Sequence, residues 1–166
     1  MSEWVRAARE AKQEHNALKK EIEGYSYKDP RHSESTDESF RRLIADEVNK
    51  SRDFLFPMVE AAYIEQDTDD ATALEEVMQW LDVFLLELGL PLIWNESADY
   101  RSYMKLIRTD VTVIKNARDL AKILGKMNDQ VMHGKSGSVV RKCAQLKKYV
   151  SDLLTILKRR RHALGG

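Results

Sequence analysis

The chain has 166 residues, one domain of ordinary size, and its seven glycines and three prolines are about half of average usage. That scarcity of turn formers argues against a sandwich, a barrel or a collagen-like repeat, and 43% apolar residues argues against wholesale disorder. Basic and acidic residues number 27 each, so the net charge of zero by itself points to no partner.

Helical periodicity covers most of the chain, and no stretch alternates convincingly at period two. The first predicted helix, about Ser2 to Glu23, carries a thin heptad-like seam of Trp4, Ala8, Ala11, His15, Leu18 and Ile22. Gly24 stops it, and the polar stretch from Tyr25 to Thr36, with its Asp29-Pro30 turn, reads as a mobile linker. Residues 1–34 are therefore expected to form a loosely attached helix plus linker, and 35–166 the bundle proper. Ser35 with Glu38 reads as a capping box opening the second helix, whose apolar face includes Phe40, Ile44, Val48, Leu55 and Ala62. Pro57 lies inside that pattern and predicts a kink near Phe56 or two shorter helices. Thr72 with Glu75 reads as a second capping box, ahead of Leu74, Val77, Leu81, Phe84 and Leu88; Gly89 and Pro91 then mark the stop.

The fourth segment starts near Ser97 and runs to about Met132 as one helix or two. Its weak point is Thr109 to Thr112, where Asp110 offers a cap for a fresh start. Gly134 and Gly137 bracket a short loop, and the fifth helix runs from Ser138 to about His162, burying Val139, Val140, Cys143, Leu146, Val150, Leu153 and Leu157. Short loops between long amphipathic helices favour antiparallel neighbours, so the expected fold is an all-α antiparallel bundle of four to five helices.

The neutral total conceals a strong division. Residues 53–100 hold 12 acidic groups and no basic one, whereas 101–166 hold 16 basic and 4 acidic. On the fourth helix Arg101, Lys105, Arg108, Lys115, Arg118, Lys122 and Lys126 advance at helical spacing, opposite the apolar side. A continuous helix makes that stripe roughly 37 Å long. The fifth helix adds Lys147, Lys148, Lys158, Arg159, Arg160 and Arg161, with Arg141 and Lys142. Two readings follow. The stripe is a solvated face offset by the acidic helices, the last cations also favouring the helix dipole; or it is a surface that steers and binds an anionic partner, either an acidic protein or a nucleic-acid backbone. Net neutrality and few stacking aromatics favour protein over nucleic acid. The thin N-terminal seam offers self-association through Trp4, Leu18 and Ile22.

Motifs for chemistry fail one by one. Gly134-Lys135-Ser136 lacks the glycine five positions earlier and the preceding strand of a phosphate loop. Asp67, Asp69 and Asp70 lack the glycine and glutamate of a calcium loop. The four histidines are scattered with no Glu-x-x-His pair, and Asp129 with His133 reads as a helix-end pair. No nucleophile, base and orienter come together, so neither catalysis, metal nor cofactor is expected. The start of the chain carries no secretory signal pattern, and its longest greasy stretch, Val83 to Trp94, is too short and too interrupted to span a membrane. With one cysteine, Cys143, on an apolar face, the expectation is a reduced cytoplasmic or nuclear protein that is not secreted.

From Leu74 to Met127, about a third of the chain, the pattern Leu74-Val77-Leu81, Ile107-Arg108, Val113-Ile114, Ala117 and Leu120 resembles the helical N-terminal domain of transcription elongation factor S-II and its relatives. The sequence departs from that family in reading continuously where the family breaks between its last two helices. The resemblance implies binding of short disordered peptide motifs in the nucleus. The sequence thus leads to a non-enzymatic helical binding module, acting through its basic C-terminal surface.

Overall fold

A computed structural model of the chain describes residues 3–22, 24–27, 30–135 and 137–165, and among them every regular element is a helix. These are α1 (Glu3–Glu21), α2 (Pro30–Ile64), α3 (Thr68–Leu88), α4 (Tyr100–Met132) and α5 (Val139–Arg161). The all-α bundle expected from periodicity is present.

Helix ends follow local chemistry. Asp67 accepts from the Asp70 amide to cap α3, Asp99 accepts from Ser102 to cap α4, and Ser138 accepts from Arg141 to cap α5. Gly24 and Gly134, at φ +70° and +67°, supply the left-handed turns that leave α1 and α4. Both expected capping boxes are displaced. Helix α2 already begins at Pro30, so Ser35 and Glu38 lie within it, as does the expected domain boundary at 34/35; α3 begins at Thr68, four residues before Thr72.

The two doubtful helices are each continuous. Helix α2 passes through Pro57 as one 35-residue helix, and α4 runs 33 residues through the threonine pair. Thr109 and Thr112 return their hydroxyls to the carbonyls of Lys105 and Arg108, which satisfies them without breaking the helix. Asp110 caps nothing and is fully buried.

Around the core the order is α2, α3, α5, α4, with α1 laid on the outside of α4. From α2 onward consecutive helices run antiparallel, while the neighbouring pairs α2–α4 and α3–α5, and α1 beside α4, run parallel. The start of α2, the first third of α4 and the end of α5 meet through Asp37, Asp110 and Arg160. Further along, Gly125 of α4 admits the Phe54 ring of α2, and Lys147 of α5 meets Glu76 of α3. Residues 89–99 must then cross one end of the bundle diagonally. Leu92 N–H donates to Asp37, Ile93 N–H to the Arg161 carbonyl, and Asn95 Nδ2 to the Leu164 carbonyl.

The core is one cluster running from Leu18 to Leu164. Its apolar stripes are those read from the sequence, except that Val140 lies outside at 45% exposure. The segment before α2 is anchored rather than solvated: Tyr25 and Tyr27 are buried, and the Thr36 hydroxyl bridges the Ser26 amide and carbonyl. Leu18 and Ile22 are buried as well, against their own chain, so they offer no surface for self-association. The Trp4 side chain lies outside the described residues. No helix among the described residues is long and apolar enough to cross a membrane.

Candidate functional site

The packing order decides what becomes of the segregated charge. Helix α3 carries Asp69, Asp70, Glu75, Glu76, Asp82 and Glu87 without one basic residue, and α4 carries the seven-cation stripe. These two helices sit at diagonal corners and share no contact among the described residues. The acidic helix therefore cannot neutralise the stripe at short range, where ion pairing is strongest. What does reach it is α1, together with Glu47 of α2, whose carboxylate lies 3.9 Å from Arg118 Nε. Glu21 takes a two-pronged bond from Arg118, with Nη1 and Nη2 at 3.1 and 2.6 Å, and Glu14 approaches Arg108 at 3.8 Å. The Arg118 hydrogen bond holds the Glu21 carboxyl below its ordinary pKa.

Both ends of the stripe border depressions between α4 and α5. Helix α4 packs chiefly on α2 and α5 chiefly on α3, so the seam between α4 and α5 is the less extensively packed one. At one end is a depression of about 490 Å³, with Arg101, Lys105, Arg108 and Arg159 around Met104, Ile156 and the two threonines. At the other is one of about 450 Å³, where Lys126 and Lys142 border Ile123, Met127, Leu146 and Tyr149. The cleft thus has a cationic rim and an apolar floor. Tyr149 donates to the Asn116 carbonyl and ties the two helices together between the depressions.

The predicted residues part company here. Arg101, Lys105, Arg108, Lys126 and Arg159 border the cleft, while Lys115, Arg118 and Lys122 line a notch beside α1. Lys147 pairs with Glu76 of α3, and Lys148 with Asp152 at 3.5 Å. Lys158 is exposed and Arg161 partly buried. Arg160 is a correction: it is 2% exposed and is not part of any surface.

Arg160 instead closes a buried polar knot. Its Nη1 donates to Asp37 at 2.6 Å, its Nε to Asp110 at 2.5 Å and its Nη2 to the Tyr27 hydroxyl at 3.0 Å. Tyr25 and Tyr27 both donate to the other Asp110 oxygen, at 2.7 and 2.5 Å, and the guanidinium lies 3.9 Å from the Phe40 ring centre. Arg41 completes the charge balance by donating to Asp37 at 3.0 Å. Burial opposes the Arg160 charge, but Asp110, Tyr27 and Asp37 outweigh it and raise its pKa further. Burial, then the Asp110 charge, raises both tyrosines.

Cys143 is fully buried, and burial pushes its thiol up to about 11, so it is protonated at neutral pH. Among the described residues, no group of three or more His, Cys, Asp or Glu is placed to hold a metal ion. Lys142 and the apolar floor of the cleft were absent from the expected site. Of the floor residues only Leu146 reads as a core position from the sequence; Met127 and Leu146 are buried, Met104, Tyr149 and Ile156 half-buried, and Ile123 exposed.

No family model matches the chain, and neither a curated protein nor a solved structure does. The resemblance to the elongation-factor domain therefore gains no support from these comparisons, and α4 runs unbroken where that family divides.

Proposed function

We propose that the protein is a non-enzymatic binding module that takes an acidic, amphipathic protein segment in the cleft between α4 and α5. The observation that carries this reading is the combination of four cations, Arg101, Lys105, Arg108 and Arg159, around the apolar Met104 and Ile156. A cationic rim steers an acidic partner and sets its orientation. An apolar floor supplies the anchor that electrostatics lacks, as in helix-in-groove recognition. Nucleic acid is the weaker fit. Phosphate contacts need the rim alone, and the one aromatic lining the cleft, Tyr149, is partly buried with its hydroxyl bonded to the Asn116 carbonyl.

The test is a fluorescence titration with an acidic amphipathic helical peptide and, separately, a short DNA duplex, across a salt series. The peptide should bind more tightly at high salt than the duplex, because its apolar anchor is not screened. Reversing Lys105 and Arg159 to Glu should weaken peptide binding roughly tenfold or more, about 1.4 kcal/mol or above. Equal peptide binding by the folded double variant overturns this reading. Preferential DNA binding whose affinity falls linearly with log salt moves it to the nucleic-acid alternative.

A further inference from the structure

The face with the opposite character belongs to the same chain. On α3, Val83 and Leu86 are 47% and 75% exposed, and Leu90, just past its end, is 41% exposed. Spacings of three and four place them on one ridge, flanked by Asp82 on one side and Glu87 on the other. This is an acidic helix with an apolar spine and no cation, the complement of a cleft with a cationic rim and an apolar floor.

We propose that the α3 ridge of one copy seats in the α4–α5 cleft of the next, so that copies of this chain associate head to tail. The inference rests on the cleft reading above and names its occupant. Charge complementarity carries it: α3 has six carboxylates, of which Asp82 and Glu76 already pair with Arg52 and Lys147 of their own copy, against Arg101, Lys105, Arg108 and Arg159 at one end of the cleft. One molecule cannot satisfy both faces itself, because α3 is diagonal to α4 across the core. Ridge and cleft are different surfaces, so each contact leaves one of each unfilled, and association is open-ended unless a ring closes.

The experiment is sedimentation velocity of the full chain over a concentration series at low and high salt. Two variants accompany it: Leu86→Glu, which spoils the ridge, and the Lys105→Glu, Arg159→Glu pair, which spoils the cleft. All three positions are exposed, and circular dichroism with thermal melting verifies the folds. Wild-type mass should rise with concentration beyond two chains at low salt and return to one chain at high salt. Each variant alone should stay at one chain. Their mixture should form a discrete pair that grows no further, because one intact ridge and one intact cleft remain on different copies. A monomeric wild type at low salt overturns the proposal, as does a mixture that fails to pair. A parallel titration of poly-L-glutamate separates the two failures. Binding lost only in the cleft variant leaves the cleft reading standing without self-association, and failure of wild type to bind both this polymer and the acidic amphipathic peptide removes both.

Discussion

Without the Arg160 guanidinium, Asp37 and Asp110 lose the cation between them while remaining buried at 2% and 0% exposure. Removing one partner of a buried ion pair costs about 3–5 kcal/mol, because the remaining charge has neither water nor counter-ion. Arg160→Met should therefore lose stability on that scale in urea denaturation. Arg160→Lys should recover only part of it, since an ammonium cannot match the planar fork that reaches Asp37, Asp110 and Tyr27 together. The tyrosines of the knot set a pH limit. Their folded pKa values lie above the ordinary 10, raised by burial and by Asp110, so the unfolded chain releases these protons first. The stability they confer is complete below about pH 10 and declines as pH rises beyond it. Cys143, raised from 9.0 to about 11 by burial, acts in the same direction. Urea midpoints should begin to fall near pH 9 with the thiol and fall more steeply above about pH 10, and replacing Tyr25 and Tyr27 by Phe should flatten the steeper part.

Among the helices, α3 depends on a cap that the sequence disguised. Asp67 accepts from the Asp70 amide at 3.0 Å, so Asp67→Ala should cost about 1 kcal/mol, whereas Thr72→Ala, inside the helix, should cost little. The parallel pair α2–α4 depends on a glycine. A Cβ at Gly125 would lie 3.1 Å from the Phe54 ring, a tight contact that requires the ring, packed between α2 and α4, to shift. Alanine is the better helix former, yet Gly125→Ala should lower the melting temperature, and adding Phe54→Leu should restore it.

For the whole molecule, the distribution of charge matters more than its sum. Helix α1 covers part of the stripe with two carboxylates, Glu14 and Glu21, so its position lowers the positive field that an arriving acidic partner meets. Replacing both by Gln should tighten binding of an acidic peptide and steepen its salt dependence, with little change in stability. Exposed pairs such as Arg118–Glu21 are each worth about 0–1 kcal/mol, whereas a field summed over many cations changes association strongly. Unchanged affinity in the Glu14→Gln, Glu21→Gln variant would show that α1 does not screen the stripe.

Local information determined the helices themselves. The apolar stripes of α2 to α5, the Gly24 and Gly134 stops, and the segregation of acid from base in the second half of the chain all lie in residues a few positions apart. Helical periodicity is a nearest-turn property, so one chain suffices to read it. Tertiary structure decided everything that depends on which helix stands beside which. It buried Asp110 and Arg160, which read locally as a cap and a surface cation, because their partners are remote in sequence: Asp110 lies 50 positions from Arg160, and Asp37 lies 123 from it. It kept α4 whole through weak helix formers, because Leu106, Val113 and Ile114 on either side are buried and packing outweighs propensity. It set α3 diagonally from α4, so the acidic third helix does not pair with the basic stripe, which meets Glu14 and Glu21 of α1 and Glu47 of α2 instead. Periodicity reveals which face of a helix turns inward, but not which neighbour it meets there, because every apolar stripe is chemically compatible with every other; only packing the whole set resolves that choice.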